Sequence, residues 1–349
     1  MADKIEIKGS KPYSSGVSDR TFFVCSIALF IIVILAMLYI SSLFMHMDSA
    51  IYDTGRFYAM AKVIAGGAIP YIDYQDPKPP LIFFILTLPV LLGQQFLGGL
   101  FLVGMCNLIS AILIMIIARE YYNRAVGLLA ALLFLVNMGW AQGYFVMTEP
   151  FTILFILMAT YFVLCGKNKH YKLSGLCAGI AIGFKQYALL TVPLLLMTID
   201  STDKTKNAVE FLIGVLIPLI AIFSSIFFIY GAQAMDASLY WSFGVAGPYI
   251  VDTTGDKVIG TRSDLFELAV NIIIAVMILV SLIIGLTRYG ENLRRSPVER
   301  YLLFSAICFA LTLVIRQYLH YWALAIPFLA ILWAGWLYNT WKNRGSHYR

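Results

Sequence analysis

Residues Met45 to Pro80 read MHMDSAIYDTGRFYAMAKVIAGGAIPYIDYQDPKPP. The stretch carries four carboxylates, Asp48, Asp53, Asp73 and Asp76, and three cations, Arg56, Lys62 and Lys78, and it ends in a stiff Pro-Lys-Pro-Pro turn. Long apolar runs flank it on both sides. Across 349 residues, 60% are hydrophobic and only 13% charged, and the mean hydropathy is +0.82. Repeated apolar runs of ~17–25 residues are the mark of an integral membrane protein rather than a soluble core. The polar stretch is therefore the exception around which the hydrocarbon-compatible remainder is arranged. Its polar groups make it the expected site of chemistry at one membrane face.

Composition narrows the alternatives further. Fifteen per cent aromatics suits interfacial belts of Trp and Tyr. The net charge of +6 fits cations on cytoplasmic loops better than a nucleic-acid surface. The five cysteines, Cys25, Cys106, Cys165, Cys177 and Cys308, lie in or beside apolar runs without metal-ligand spacing. They read as small buried residues, not disulfides. The first 20 residues are polar and basic, and the apolar run after them is long enough to span and lacks a small-residue cleavage site. The expectation is a cytoplasmic tail over 1–20, not a removable leader.

From there the chain is expected to be an all-α polytopic bundle of about ten transmembrane helices over 21–341, with a short cytoplasmic tail at 342–349. Thr21–Phe44 leaves the cytoplasm. The first outer loop, 45–96, carries interfacial helices: an amphipathic one over Ile51–Ile64 stopped by Gly66-Gly67, and a short one over Leu81–Phe96. Further crossings follow at Leu97–Ala118, Val126–Trp140, Pro150–Gly166, Leu173–Phe184, Tyr187–Ile199, Ala208–Tyr230, Asp264–Thr287, Tyr301–Ile315 and Tyr321–Trp341. A second large outer loop occupies 231–263. This path leaves seven of the 25 Lys and Arg outside, namely Arg56, Lys62, Lys78, Lys185, Lys257, Arg262 and Arg316. The remaining eighteen satisfy the positive-inside bias, and both termini fall on the cytoplasmic side.

The outward charges each have a plain structural role open to them. Asp48 suits a helix N-cap, Glu149 a helix N-terminal acid, and Lys185 a snorkelling cation. Arg316 and His320 suit an interface beside Tyr318, Tyr321 and Trp322. Together, however, they put carboxylates and cations on one membrane face, where low dielectric shifts a carboxylate such as Asp48 into a useful range.

The run Gly67-Ala-Ile-Pro70-Tyr71-Ile-Asp73-Tyr-Gln-Asp76-Pro77-Lys78-Pro79-Pro80-Leu81 resembles the first outer loop of GT-C-fold glycosyltransferases. The nearest type is the dolichyl-phosphate-mannose–protein mannosyltransferase and aminoarabinose transferase group. Asp48 occupies the acidic position that ends the group's first span. Weaker echoes are Phe145-Val-Met-Thr-Glu149-Pro, Gly175 to Gln186, and Arg316-Gln-Tyr-Leu-His320. The group often has Asp-Glu where this chain has Asp48-Ser49, and many members carry a soluble C-terminal domain.

The resemblance implies transfer of a sugar from a polyprenyl-phosphate donor to an acceptor hydroxyl at the outer face of the cell membrane, with inversion. Asp48 would be the catalytic base. The implied substrate-binding set is Lys78, Lys185, Arg316, His320, Tyr52, Glu149 and Asp76. Asp48 and Glu149 would hold a divalent cation, Mg or Mn, if one is used; no other cofactor is implied. The implied partners are the lipid-linked donor, a lipid, glycan or protein acceptor, and membrane lipids, without nucleic acid. The competing class is a lipid or lipid-linked-sugar flippase, which is expected to place its charges near mid-membrane.

Overall fold

The computed structural model describes residues 18–43, 50–165, 169–199, 203–245, 262–312 and 318–346. Helices account for all regular structure there. They are α1 (Asp19–Leu43), α2 (Ala50–Ala65), α3 (Leu81–Leu91), α4 (Gln95–Tyr121), α5 (Arg124–Trp140), α6 (Thr148–Leu164) and α7 (Tyr171–Phe184). A 3-10 turn (Gln186–Leu190) leads into α8 (Thr191–Leu196), followed by α9 (Lys204–Tyr230) and α10 (Ala232–Leu239). A π-helical turn (Tyr240–Gly244) comes next, then α11 (Arg262–Arg295), α12 (Pro297–Ala310), a 3-10 turn (Leu319–Leu324) and α13 (Ile326–Ser346).

Side-chain pairings give the direction of each helix. The Asp19 carboxylate meets Arg119 at 3.6 Å and also pairs with Arg124, so the start of α1 lies beside the end of α4 and the start of α5. Near the other end, Gly139 of α5 abuts Met37 of α1. The bond from the Tyr122 hydroxyl to Glu299 Oε1 (3.0 Å) and the Thr160–Tyr301 hydroxyl pair (2.7 Å) bring the start of α12 to the same end. Helices α11 and α13 run parallel. Asn271 accepts from the Trp322 indole, Ser281 from the Trp333 indole, and Gly285 meets Trp336. Helices α1, α5 and α12 therefore start at the end of the bundle where α4 finishes. Arg119, Arg124, Lys172 and Lys204 all belong to one end.

Four helices, Asp19–Leu43, Gln95–Tyr121, Lys204–Tyr230 and Ala269–Thr287 within α11, are long and apolar enough to cross a membrane by themselves. Their outer faces are studded with exposed Ile32, Leu35, Phe228 and Met277, an apolar surface suited to lipid. The protein is a membrane protein. Several other helices are short. At ~1.5 Å per residue, α7 reaches about 21 Å, against about 40 Å for α4 and α9. Tyr187–Ile199, expected as one crossing, is instead a 3-10 turn plus the six-residue α8. Pro193 and β-branched Thr191 and Val192 leave little helical sequence to extend. Leu81–Phe96 is likewise divided: α3 ends at Leu91, Gly93 takes φ +66°, and α4 starts at Gln95.

Helix α7 is held by small residues. A Cβ on Gly175 would lie 2.0 Å from the Phe211 carbonyl, and one on Gly179 2.3 Å from that of Val215. Gly183 faces Ile222 of α9 and Leu81 of α3. Glycines at every fourth position line one face of the helix and let backbones approach, the usual device for packing helices in lipid. The cysteines are all free thiols, but Cys25 is exposed on α1 rather than buried.

Candidate functional site at one end of the bundle

The polar stretch does not float free. Helix α2 buries Phe57, Met60 and Ala61 against Ile82, Phe83 and Leu86 of α3, and the same cluster takes in Phe145, Met147, Phe151 and Phe184. The chain leaves α2 through Gly67 at φ +81°, a conformation glycine adopts without penalty. Tyr71, at φ +65°, has no such freedom. Its buried ring packs edge-on to Phe83 at 6.0 Å, and its hydroxyl donates to the Lys78 carbonyl at 2.6 Å. The Asp73 carboxylate accepts from the Ile69 amide at 2.7 Å and closes the preceding turn.

Asp76 is 1% exposed and pairs with Arg56 of α2 at 3.0 Å. Burial pushes its carboxyl up to about 6, while Arg56 and Lys78 pull in the opposite direction. Tyr52 lies on the exposed side of α2, its ring under the Arg56 guanidinium at 5.7 Å, so it reaches the site through Arg56. Lys78 is partly buried. Burial disfavours its charge, but Tyr321, Asp53, Glu149 and Asp76 outweigh that and hold its pKa above the ordinary value.

Glu149 stands in the first turn of α6, where the helix dipole favours an acid. Lys185 follows the last residue of α7 in extended backbone. Both are 1% exposed, and the Lys185 ammonium donates to Glu149 Oε1. Lys185 also lies over the Tyr321 ring at 4.3 Å and the Tyr187 ring at 5.6 Å. It does not snorkel. A buried lysine is tolerated only with a partner. His320 Nε2 is 3.9 Å from the same Glu149 oxygen, and its Nδ1 is 3.2 Å from Gln142 Oε1.

Lys78, Glu149, Lys185, His320 and Asp76 are therefore gathered at one end of the bundle from four separate segments. Asp48 and Arg316 lie outside the described residues, as do Asp252, Asp256 and Lys257. Gln142 joins the site without a sequence signal of its own, and Arg56, one of the three cations of the polar stretch, joins it as the partner of Asp76. Arg56 lies twenty positions from its partner, and Gln142, at φ +57°, sits in a loop that reads as ordinary.

A divalent ion does not fit Glu149 as it stands. Its Oε1 is taken by an ammonium, and a second cation beside Lys185 would meet like charge at low dielectric. Among the described residues no group of three or more His, Cys, Asp and Glu could hold a metal.

Residues 77–228 match the family model of dolichyl-phosphate-mannose-protein mannosyltransferase. The match starts in the Pro-Lys-Pro-Pro turn and takes in Glu149 and Lys185. No curated protein sequence matches the chain. Among solved structures it is similar to ArnT from Cupriavidus metallidurans bound to undecaprenyl phosphate, with a TM-score of 0.56 at 14% identity over 88% of this chain and 59% of that one. It is also similar to the archaeal oligosaccharyltransferase AglB from Archaeoglobus fulgidus, in complex with an inhibitory peptide and a dolichol-phosphate. There the TM-score is 0.50 at 10% identity, over 93% of this chain and 52% of that one. The chain thus spans a little over half the length of these proteins. It is a membrane protein with the GT-C fold, and its residues 77–228 are similar to the dolichyl-phosphate-mannose-protein mannosyltransferase family.

Proposed function

We propose that the protein is a membrane glycosyltransferase that moves a sugar from a polyprenyl-phosphate donor to an acceptor hydroxyl. The observation that carries this reading is the convergence of Lys78 with the Glu149–Lys185 pair and His320 beside the end of α7. The match of residues 77–228 to a lipid-phosphate-dependent family, and a fold shared with two proteins solved with bound lipid phosphates, support it.

Asp48 takes the proton of the acceptor hydroxyl, whose oxygen forms a bond to the anomeric carbon. The bond from that carbon to the phosphate oxygen breaks, and the configuration inverts. Polyprenyl phosphate leaves with its negative charge, so what the site must supply is a base and a cation for the departing group. Lys78 is the cation best placed for that, on a turn held rigid by prolines. Lys185 and Glu149 neutralise each other and fix the floor of the site, with His320 oriented by Gln142. Arg316 joins Lys78 on the phosphate, and Arg56 and Asp76 hold the loop with Tyr52 at its edge. The site faces outward and both termini are cytoplasmic. That orientation is supported by the collection of Arg119, Arg124, Lys172 and Lys204 at the opposite end.

A flippase draws on one observation: the helix break between α7 and the 3-10 turn, with a buried ion pair beside it. Incubating the purified protein with a panel of polyprenyl-phosphate sugars separates the two. A transferase releases lipid phosphate and makes a new glycoside, whereas a flippase moves the intact lipid-linked sugar across vesicles and leaves it whole.

A further inference from the structure

Gln186 is the first residue of the 3-10 turn that follows Lys185. Its side-chain amide Nε2 donates to the Pro77 carbonyl at 3.1 Å, across 109 positions of sequence. The amide can take only this orientation. Turning it over would set its oxygen against a carbonyl, acceptor to acceptor. Pro77 is the residue before Lys78, and the Lys78 carbonyl accepts from the Tyr71 hydroxyl at 2.6 Å. Two consecutive carbonyls of the turn are therefore each tied by a different side chain. Tyr71 is buried in the apolar cluster of α2 and α3. Gln186 belongs to the segment carrying Lys185. Prolines at 77, 79 and 80 offer no amide hydrogens, so the turn is poor in donors to fix itself.

We propose that Gln186 is a positioning residue: it sets the place from which Lys78 presents its ammonium to a lipid phosphate. Tyr71 does the same through the next carbonyl of the turn. The Gln186 bond is also a direct polar link between the Lys78 turn and the segment that carries Lys185, so it keeps the loop in register with the Glu149–Lys185 pair. This inference rests on the donor reading above and adds which residues hold the phosphate cation in place.

The test is binding of a short-chain polyprenyl phosphate to the full-length protein in detergent. It compares wild type, Gln186→Leu, Gln186→Glu, Tyr71→Phe, Lys78→Ala and the doubles of Lys78→Ala with Gln186→Leu and with Tyr71→Phe. Gln186→Leu and Tyr71→Phe are each expected to raise Kd about tenfold, the worth of one lost hydrogen bond to a constrained group. Gln186→Glu, nearly the same shape but with an acceptor facing Pro77, is expected to be at least as harmful. In the Lys78→Ala background neither change should weaken binding further, because both act through Lys78. An unchanged Kd in Gln186→Leu, or an equal loss with and without Lys78, overturns the proposal. Should Gln186→Leu fail to fold, Gln186→Glu, alone and combined with Lys78→Ala, decides by the same criterion. If the wild type binds no polyprenyl phosphate at all, the donor reading itself falls, and this inference with it.

Discussion

The Lys185 ammonium is buried against the Glu149 carboxylate, joining the end of α7 to the start of α6. Neither group is more than 1% exposed, so each depends on the other for its charge. Removing one partner leaves a lone buried charge, which costs roughly 3–5 kcal/mol, whereas replacing both with apolar side chains of similar size is far milder. Lys185→Met and Glu149→Leu should therefore each lower the melting temperature clearly in detergent, and the double variant should recover most of the loss. Additive losses would mean that the pair is not the structural unit described here.

Lys78 differs from Lys185 in having no single buried ion-pair partner: its carbonyl anchors the turn through Tyr71, and its ammonium is favoured by several anionic groups around it. Lys78→Ala is expected to lower the melting temperature less than Lys185→Met does, while weakening polyprenyl-phosphate binding about 10- to 100-fold, the range of a charge-assisted contact. Binding titrations alongside thermal melts check both halves of that expectation.

Asp76 gives the loop a pH dependence. Burial raises its carboxyl to about 6, so it is largely protonated below that pH and pairs with Arg56 only above it. The sign follows from the raised value. This group alone makes folding less favourable as pH climbs from about 4 to about 6, because the folded state retains the proton longer. The Arg56–Asp76 ion pair forms as pH rises through about 6. Lipid-phosphate affinity is expected to fall as pH drops through about 6, and Asp76→Asn should abolish that inflection. An inflection that survives in Asp76→Asn assigns it to another group.

The α7–α9 contact is predicted to be intolerant of size. Gly175→Leu or Gly179→Leu would drive a side chain into the Phe211 or Val215 carbonyl, backbone that cannot step aside. Overpacking of this kind costs about 1–3 kcal/mol or more. A fall in melting temperature and in detergent-stable yield is expected for both, with Gly55→Ala, which meets nothing within 4 Å, as the silent control.

Much of this architecture is legible in the sequence, for physical reasons. Apolar runs, charged ends and Gly66-Gly67 are local signals, and they set α1, α2, α4, α5 and α6 within a few residues of where they fall. The interior of the site is not local. Taken by itself Lys185 suits a snorkelling cation, and only the family resemblance puts it in the site, because nothing between Phe184 and Gln186 announces a glutamate thirty-six positions earlier. The Arg56–Asp76 and Gln142–His320 contacts are likewise made by packing, which no periodicity encodes. The short crossing at Tyr187–Ile199 misled for a related reason. Its hydrophobicity suits a span, but its proline and β-branched residues allow only two short turns of helix.

In the proposed reaction sugar leaves a lipid phosphate at the Lys78 end of the bundle, and the decisive measurement is a single-turnover assay of wild type and Asp48→Asn with a polyprenyl-phosphate sugar. The prediction is stoichiometric release of polyprenyl phosphate with a new glycoside in the wild type, and intact donor, still bound, in Asp48→Asn. Donor left whole by both proteins, or cleaved equally by both, would contradict it.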